Sequence, residues 1–292
     1  MAAKKPLASY TGVVKEIQAG DIVDPTVLPF MGGDGSDGDV TISGNTTLIR
    51  DMYYNTLTVN NGVTLITGGF VIYAKVSVTN NGTIARNGNA ASGHTAGATL
   101  ANGTLGGGTA GGTCGGLSAG GGGGGAGVIV IVAKSIVNNG TIQANGGAGG
   151  GALSGGGAFA GAVGTASTAA LGGAGGKGGK GDASYDGANG GALSNNTCQD
   201  MRSFLGIRGW YESGGAIGKF LGGTGGGSGG QGLNIGNNGG GGGGGGGYIF
   251  LIYASITVGT IQVNGGAGGA KYGAGDNGAT GSNGKILQLA MA

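Results

Sequence analysis

Residues 241–269 read GGGGGGGYIFLIYASITVGTIQVNGGAGG, a pure glycine run feeding straight into one of the most apolar strand-like segments of the chain. Fixing a glycine backbone costs more conformational entropy than fixing any other residue. Such a run is therefore either slack linker or the material of something that tolerates no side chains. Glycine supplies 83 of the 292 residues, so the choice decides the whole fold. A solvated disordered chain needs low hydrophobicity and high net charge, whereas here charged residues are 9% and the formal net charge is +2. The same balance leaves no basic footprint for nucleic acid. Collagen demands strict Gly-X-Y and abundant proline. This chain has only Pro6, Pro25 and Pro29, and collagen is excluded.

Between the glycines lies a repeat, the feature to seek first in such a chain. Residues 70–88 read FVIYAKVSVTNNGTIARNG, 128–146 read VIVIVAKSIVNNGTIQANG and 248–265 read YIFLIYASITVGTIQVNG. Each runs apolar strand, short second strand, asparagine/glycine turn, then G-T-I and a closing Asn-Gly. The Val, Ile and Tyr content is that of strands, and Asn-Gly is a turn signal because both residues accept positive φ. A version without a glycine block spans 54–69, YNTLTVNNGVTLITGG. Short strands at such intervals predict successive faces of a β-solenoid or a small stacked sheet.

The glycine-dense segments, roughly 87–127, 146–247 and 265–284, each leave one strand motif and return to the next. Their spacing argues for order. GGAGGKGGKGDA (172–183) places Ala174, Lys177, Lys180 and Ala183 three apart, and GGSGGQGLNIGN (226–237) does the same with Ser228, Gln231, Asn234 and Asn237. GDNGATGSNG has glycine at 275, 278, 281 and 284. A three-residue period is that of the polyproline-II helix. That helix has no internal hydrogen bonds, so its amides must bond to neighbours of the same kind. Neighbours come that close only where the facing side chains are hydrogen atoms, leaving every third position to point outward. The predicted class is all-β: short stacked β-strand or β-solenoid repeats carrying glycine-rich polyglycine-II helical insertions. The expected divisions are an attachment segment 1–31, a β-repeat base 32–86, and strand repeats with the glycine-rich domain over 87–292.

Catalytic chemistry is thinly supplied. One histidine (His94), two glutamates and two cysteines give no nucleophile–base arrangement, and no enzyme activity or cofactor is expected. Cys114 and Cys198 lack CxxC spacing and read as ordinary thiols, although a disulfide between them is open. His94 reads as an exposed turn residue. The dense acidic cluster is Asp34, Asp37 and Asp39 in GGDGSDGD. It partly matches a calcium nonapeptide, but Asp39 stands where that motif wants an apolar residue, and a solvated turn is the competing reading.

The segment TCQDMRSFLGIRGWYESGG (197–215) holds the only tryptophan, Trp210, beside Tyr211, with Arg202, Arg208 and Glu212 close by. Aromatic and arginine side chains on loops of a rigid scaffold are the usual centres of recognition surfaces. Met201, Phe204 and Leu205, at i, i+3 and i+4, read as a helical turn packed inward. Lys177 and Lys180, on one outward row, are either contacts for an anionic ligand or solubilising charges. No secretory signal is read in MAAKKPLASYTGVVKEIQ. The apolar runs VIVIVA and YIFLIYA are far short of the roughly 20 residues a spanning helix needs. The expectation is a soluble protein made in the cytosol, without membrane insertion.

The glycine blocks with three-residue spacing resemble the polyglycine-II sandwich of the adhesins at the tips of long tail fibres in T-even-like phages. The stretch GDGSDGDVTISGNTTLIRDMYYNTLTVNNGVTL (33–65) resembles a segment recurring in phage virion proteins, and TGVVKEIQAGDIV (11–23) resembles N-terminal segments of phage tail proteins. The resemblance implies a tail-fibre or tail-tip component located in the virion, made in the host cytoplasm, whose loops touch a bacterial surface receptor, an outer-membrane protein or a glycan. Residues 1–31 would then attach to another tail protein through Tyr10, Val13, Val14, Ile17 and Leu28. Either a homo-oligomer or a monomeric cap is compatible with this. A structural fibre, spike or decoration subunit is the alternative. Ice binding would require ranks of threonine in one register, which Thr46, Thr47, Thr56, Thr58, Thr64 and Thr67 do not keep.

Overall fold

In a computed structural model of the protein, the described residues are 7–10, 13–16, 32–101, 103–114, 118–155, 161–165, 173–181, 186–191, 223–229 and 236–291. The chain divides into two compact units, Met1–Met31 and Gly32–Ala292, and the join at 86–87 lies inside the second. In the first unit β1 (Leu7–Tyr10) and β2 (Val13–Glu16) pair antiparallel, Tyr10 opposite Val13. The second unit is all-β among the described residues. Its strands are β3 (Asp39–Ile42), β4 (Thr46–Thr47), β5 (Met52–Val59), β6 (Thr64–Ile66), β7 (Ile72–Asn80), β8 (Thr83–Ala85), β9 (Val128–Asn138) and β10 (Thr141–Gln143). They continue as β11 (Asn237–Asn238), β12 (Tyr248–Thr257), β13 (Thr260–Gln262), β14 (Tyr272–Gly273) and β15 (Lys285–Ala290). No described helix is long and apolar enough to cross a membrane.

The repeat seen in the sequence becomes two open parallel sheets. The long strands form one, ordered β15-β12-β9-β7-β5-β3, and the short strands the other, β13-β10-β8-β6-β4. Every pairing within both is parallel: Ile129 of β9 lies beside Ile249 of β12, and Ile142 of β10 beside both Ile84 and Ile261. Each Asn/Gly turn therefore carries the chain from one sheet to the other and does not close a hairpin. The turn glycines serve two ends, the positive φ expected of Asn-Gly and the close stacking of coils. Gly62 has φ +76°, but a Cβ at Gly82 would overlap the carbonyl oxygens of Asn60 and Val63. Close stacking of successive turns is what demands glycine there.

Alternation sorts the side chains. Leu57, Val59, Leu65, Val78, Ile84, Ile136 and Ile142 are buried in one core. The first half of β9, VIVIVA, is buried on both faces, which is why it reads as a continuous apolar run and not an alternating one. Along β7 the register slips between Ala74 and Ser77, an irregularity of the kind that bends a strand. Two asparagines are buried in the ladder: Nδ2 of Asn80 donates to Oδ1 of Asn138 at 2.8 Å, and Nδ2 of Asn138 donates to the Thr260 carbonyl at 3.1 Å.

The threonine expectation is corrected by this register. Thr64, Thr83, Thr141 and Thr260 stand side by side on the short-strand sheet, and Thr41, Thr58 and Thr79 do so on the long-strand sheet. The sequence hides both ranks because coils of unequal length separate their members.

The glycine segments pack beside the sheets as extended backbone, bonded to one another. The run Gly239–Gly247 is surrounded. Gly240, Gly243 and Gly246 donate to Asp276, Ala279 and Ser282; Gly241, Gly244 and Gly247 to Gly150, Gly147 and Ala144; Gly242 and Gly245 to Gly227 and Thr224. Its carbonyls accept from segments 120–126, 173–179 and 266–269, and all these bonds are 2.7–3.0 Å. Every third amide thus addresses the same neighbour. The run 120–125 is held the same way: Gly120 and Gly123 bond to Gly239 and Gly242, Gly121 and Gly124 to Gly93 and Asn89, and Gly122 and Gly125 to Gly112 and Thr109.

Glycine content follows position in this array. At Gly241, Gly243 and Gly245 a methyl group would overlap the carbonyl oxygens of Gly121, Gly266 and Gly173, all backbone and none able to swing aside. Segment 173–181 lies nearer the edge. Its glycines 173, 176, 178 and 179 are buried while Lys177 and Lys180 are exposed. In segment 275–284 only every third residue is glycine. Gly275 and Gly281 are buried, while Asp276, Asn277, Ala279 and Thr280 are exposed. One expected outward position is corrected: Ser228 is fully buried, its Oγ accepting from the Ala162 amide at 2.8 Å. A hydroxyl is small enough for the interior when an amide meets it.

Candidate recognition site

In the row Ala174, Lys177, Lys180 the two lysines are exposed as the spacing predicts, while Ala174 is half-buried. Lys180 forms an exposed ion pair with Asp186 at 3.0 Å, bridging segments 173–181 and 186–191. The bond to Asp186 raises the Lys180 pKa, and the Lys180 ammonium lowers that of Asp186. Lys177 is exposed.

The aromatic segment's flanks are fixed. On one side Gly191 donates to the Gly225 carbonyl at 2.8 Å; on the other Gly223 donates to Ala126 at 2.7 Å. Thr224, fully buried, ties the two together: its hydroxyl donates to the Gly191 carbonyl at 2.6 Å and accepts from the Gly175 amide at 2.9 Å. Gly191 and Gly223, the described residues that flank 192–222, therefore stand at adjacent, hydrogen-bonded points of the array. Arg202, Arg208, Trp210, Tyr211 and Glu212, with Met201, Phe204 and Leu205, lie outside the described residues, as do Gln231, Asn234, Ala183 and Cys198. Cys114 is half-buried. Of the N-terminal candidates, Tyr10, Val13 and Val14 fall in the β1–β2 pair, while Ile17 and Leu28 lie outside the described residues.

The acidic turn does not gather its carboxylates. Asp34 accepts the Ser36 amide at 2.9 Å. Asp37 pairs with the Arg50 guanidinium and accepts the Tyr53 amide at 2.7 Å. Asp39 accepts from Asn55 and Thr56, each at 2.7 Å. Each pKa is lowered by these bonds: Asp34 by Ser36, Asp37 by Arg50, Asp39 by Thr56. Among the described residues no group of three or more such side chains could hold a metal ion. The calcium candidate at Asp34, Asp37 and Asp39 is corrected on that ground, since the cluster joins the entry turn to β5. His94 occupies a tight turn, Ser92 and Thr95 exchanging backbone bonds at 3.0 Å, and is half-buried and not fully exposed.

Sequence reasoning missed a different surface. The recurring T-I-x-x-N-G phrase stacks in register, so Thr83, Thr141 and Thr260 line up. Two residues on, Ala85, Gln143 and Gln262 form the next row. The signal was present in the repeat itself, once parallel stacking is assumed. No protein-family model, curated protein or solved structure matches this chain.

Proposed function

We propose that this chain is a bacteriophage tail-fibre or tail-tip protein, a host-receptor-binding adhesin that works by recognition and not by catalysis. The observation that carries the reading is the anchoring of residues 192–222 at both ends, through Gly191, Gly223 and Thr224, in a backbone-bonded array. A stiff, side-chain-poor body offers little to recognise, so an anchored insertion holding Trp210, Tyr211 and Arg208 is where affinity belongs. The three-residue hydrogen-bond period supports the finer description of the glycine layer as a polyglycine-II sandwich. The alternation between two parallel sheets supports a β-solenoid. In this reading residues 1–31 attach to other tail proteins, and the receptor is an outer-membrane protein or glycan of the host.

The test compares binding of the purified protein to a panel of candidate host cells with that of Arg208→Ala/Trp210→Ala/Tyr211→Ala. Wild-type binding lost in a folded triple variant is the expected result. No binding by either protein, with infection intact, supports a structural subunit instead. One observation favours that second reading: β15 is an edge strand with Ile286, Leu287 and Leu289 each 37–39% exposed, apolar surface that a neighbouring subunit would cover.

A further inference from the structure

The short-strand sheet does not end where its strands end. Past β8, β10 and β13 the same parallel ladder continues into the glycine segments. Arg86 and Ala144 donate to the Gln143 and Gln262 carbonyls at 2.9 Å; Gly88 and Gly146 donate to Asn145 and Asn264 at 2.8 Å. Ala91 and Gly149 then donate to Ala148 and Ala267 at 2.8 Å. Strand and glycine segment thus form one continuous face, with rows about 4.7–4.9 Å apart across the ladder. Behind it Ile84 and Ile142 are fully buried.

The outward rows carry no charge. The first is threonine, at 83, 141 and 260, half-buried to exposed, with no described protein partner for the hydroxyls. The next holds Gln143 and Gln262. The third is asparagine, and its amides are oriented by their own oxygens: Oδ1 of Asn87 accepts the Asn145 amide, and Oδ1 of Asn145 accepts the Asn264 amide, both at 2.8 Å. Asn87 and Asn264 are exposed. Past the asparagine row the face continues with the exposed Ala148 and Ala267. A face of hydroxyls and backbone-bonded amides that lacks ions matches an equally uncharged, hydroxyl-rich ligand. An ionic ligand would meet no counter-charge and would lose hydration on binding. Rigid β-branched and backbone-bonded groups lose little entropy on contact.

We propose that this face binds a neutral polysaccharide. The inference deepens the adhesin reading by naming a ligand class, and rests on it. The test applies the full chain to an array of neutral and acidic bacterial polysaccharides and, separately, to host cells. It is run beside Thr83→Val/Thr141→Val/Thr260→Val/Gln143→Ala/Gln262→Ala and beside the milder Gln143→Ala/Gln262→Ala in case the larger variant fails to fold. The expected result is retention on at least one neutral polysaccharide tenfold or more above every acidic one. That retention falls at least tenfold in the larger variant, or at least threefold in the milder one, at unchanged Tm. Retention on acidic members only, on none, or undiminished in folded variants overturns the inference. So does adsorption to ice crystals without polysaccharide binding. Cell binding that survives such a failure leaves the adhesin reading standing, whereas loss of both removes the two together.

Discussion

A single methyl group separates the residues this fold accepts from those it rejects. At Gly243 a Cβ would overlap the Gly266 carbonyl oxygen, which is itself bonded into the array. Gly243→Ala should destabilise by about 1–3 kcal/mol or more, the range for overpacking a rigid interior. At Gly44 nothing lies within 4 Å of the same atom, so Gly44→Ala should stay within about 0.5 kcal/mol of wild type. Thermal unfolding of the pair checks both. Asp37 offers a second residue-scale test. Its pKa lies below the ordinary 3.8, chiefly through Arg50. A depressed folded value means the stabilisation is complete above the ordinary value and is lost as pH falls through the lowered one. Between pH 6 and 3 the Tm advantage of wild type over Asp37→Asn should therefore shrink, and a constant gap would refute the assignment.

Among the elements, the asparagine ladder ties coil to coil where a sheet would otherwise be held by backbone alone. Asn138 is 1% exposed, accepts from Asn80 and donates to the Thr260 carbonyl. Asn138→Ala removes both bonds and leaves the buried Asn80 Nδ2 with the Thr141 carbonyl alone, and should cost about 0.5–1.5 kcal/mol. A double-mutant cycle with Asn80→Ala should give a coupling above about 0.5 kcal/mol, measured by chemical denaturation. The strands themselves were legible: β7, β9 and β12 fall within the three quoted repeats, because Val/Ile-rich runs bounded by Asn and Gly have few alternatives. Their parallel pairing was not legible, since the Asn-Gly signal that closes a hairpin also serves a corner between sheets. Only the stacking of Gly82 against Asn60 and Val63 separates the two.

Over the whole second unit, the array makes its most central backbone its most protected. The amides of Gly240–Gly247 are all bonded to other segments and have no local opening that frees them singly. Hydrogen exchange should therefore find them among the slowest amides, exchanging only with global unfolding, although a nine-glycine run in isolation would exchange freely. Fast exchange there would refute the array. The sequence by itself determined the all-β class found among the described residues, where the apolar strands lie, and that glycine at three-residue spacing is constructive and not slack. Those follow from propensity and periodicity, which are local. It also singled out Lys177 and Lys180 as outward, because one row per turn can be counted along the chain. Which glycine runs lie at the centre, why Ser228 is buried, and that Thr83, Thr141 and Thr260 share a face were decided by tertiary structure alone. Each depends on which distant segment supplies the neighbouring carbonyl, and a register between residues 58 and 119 positions apart leaves no trace in either stretch read singly.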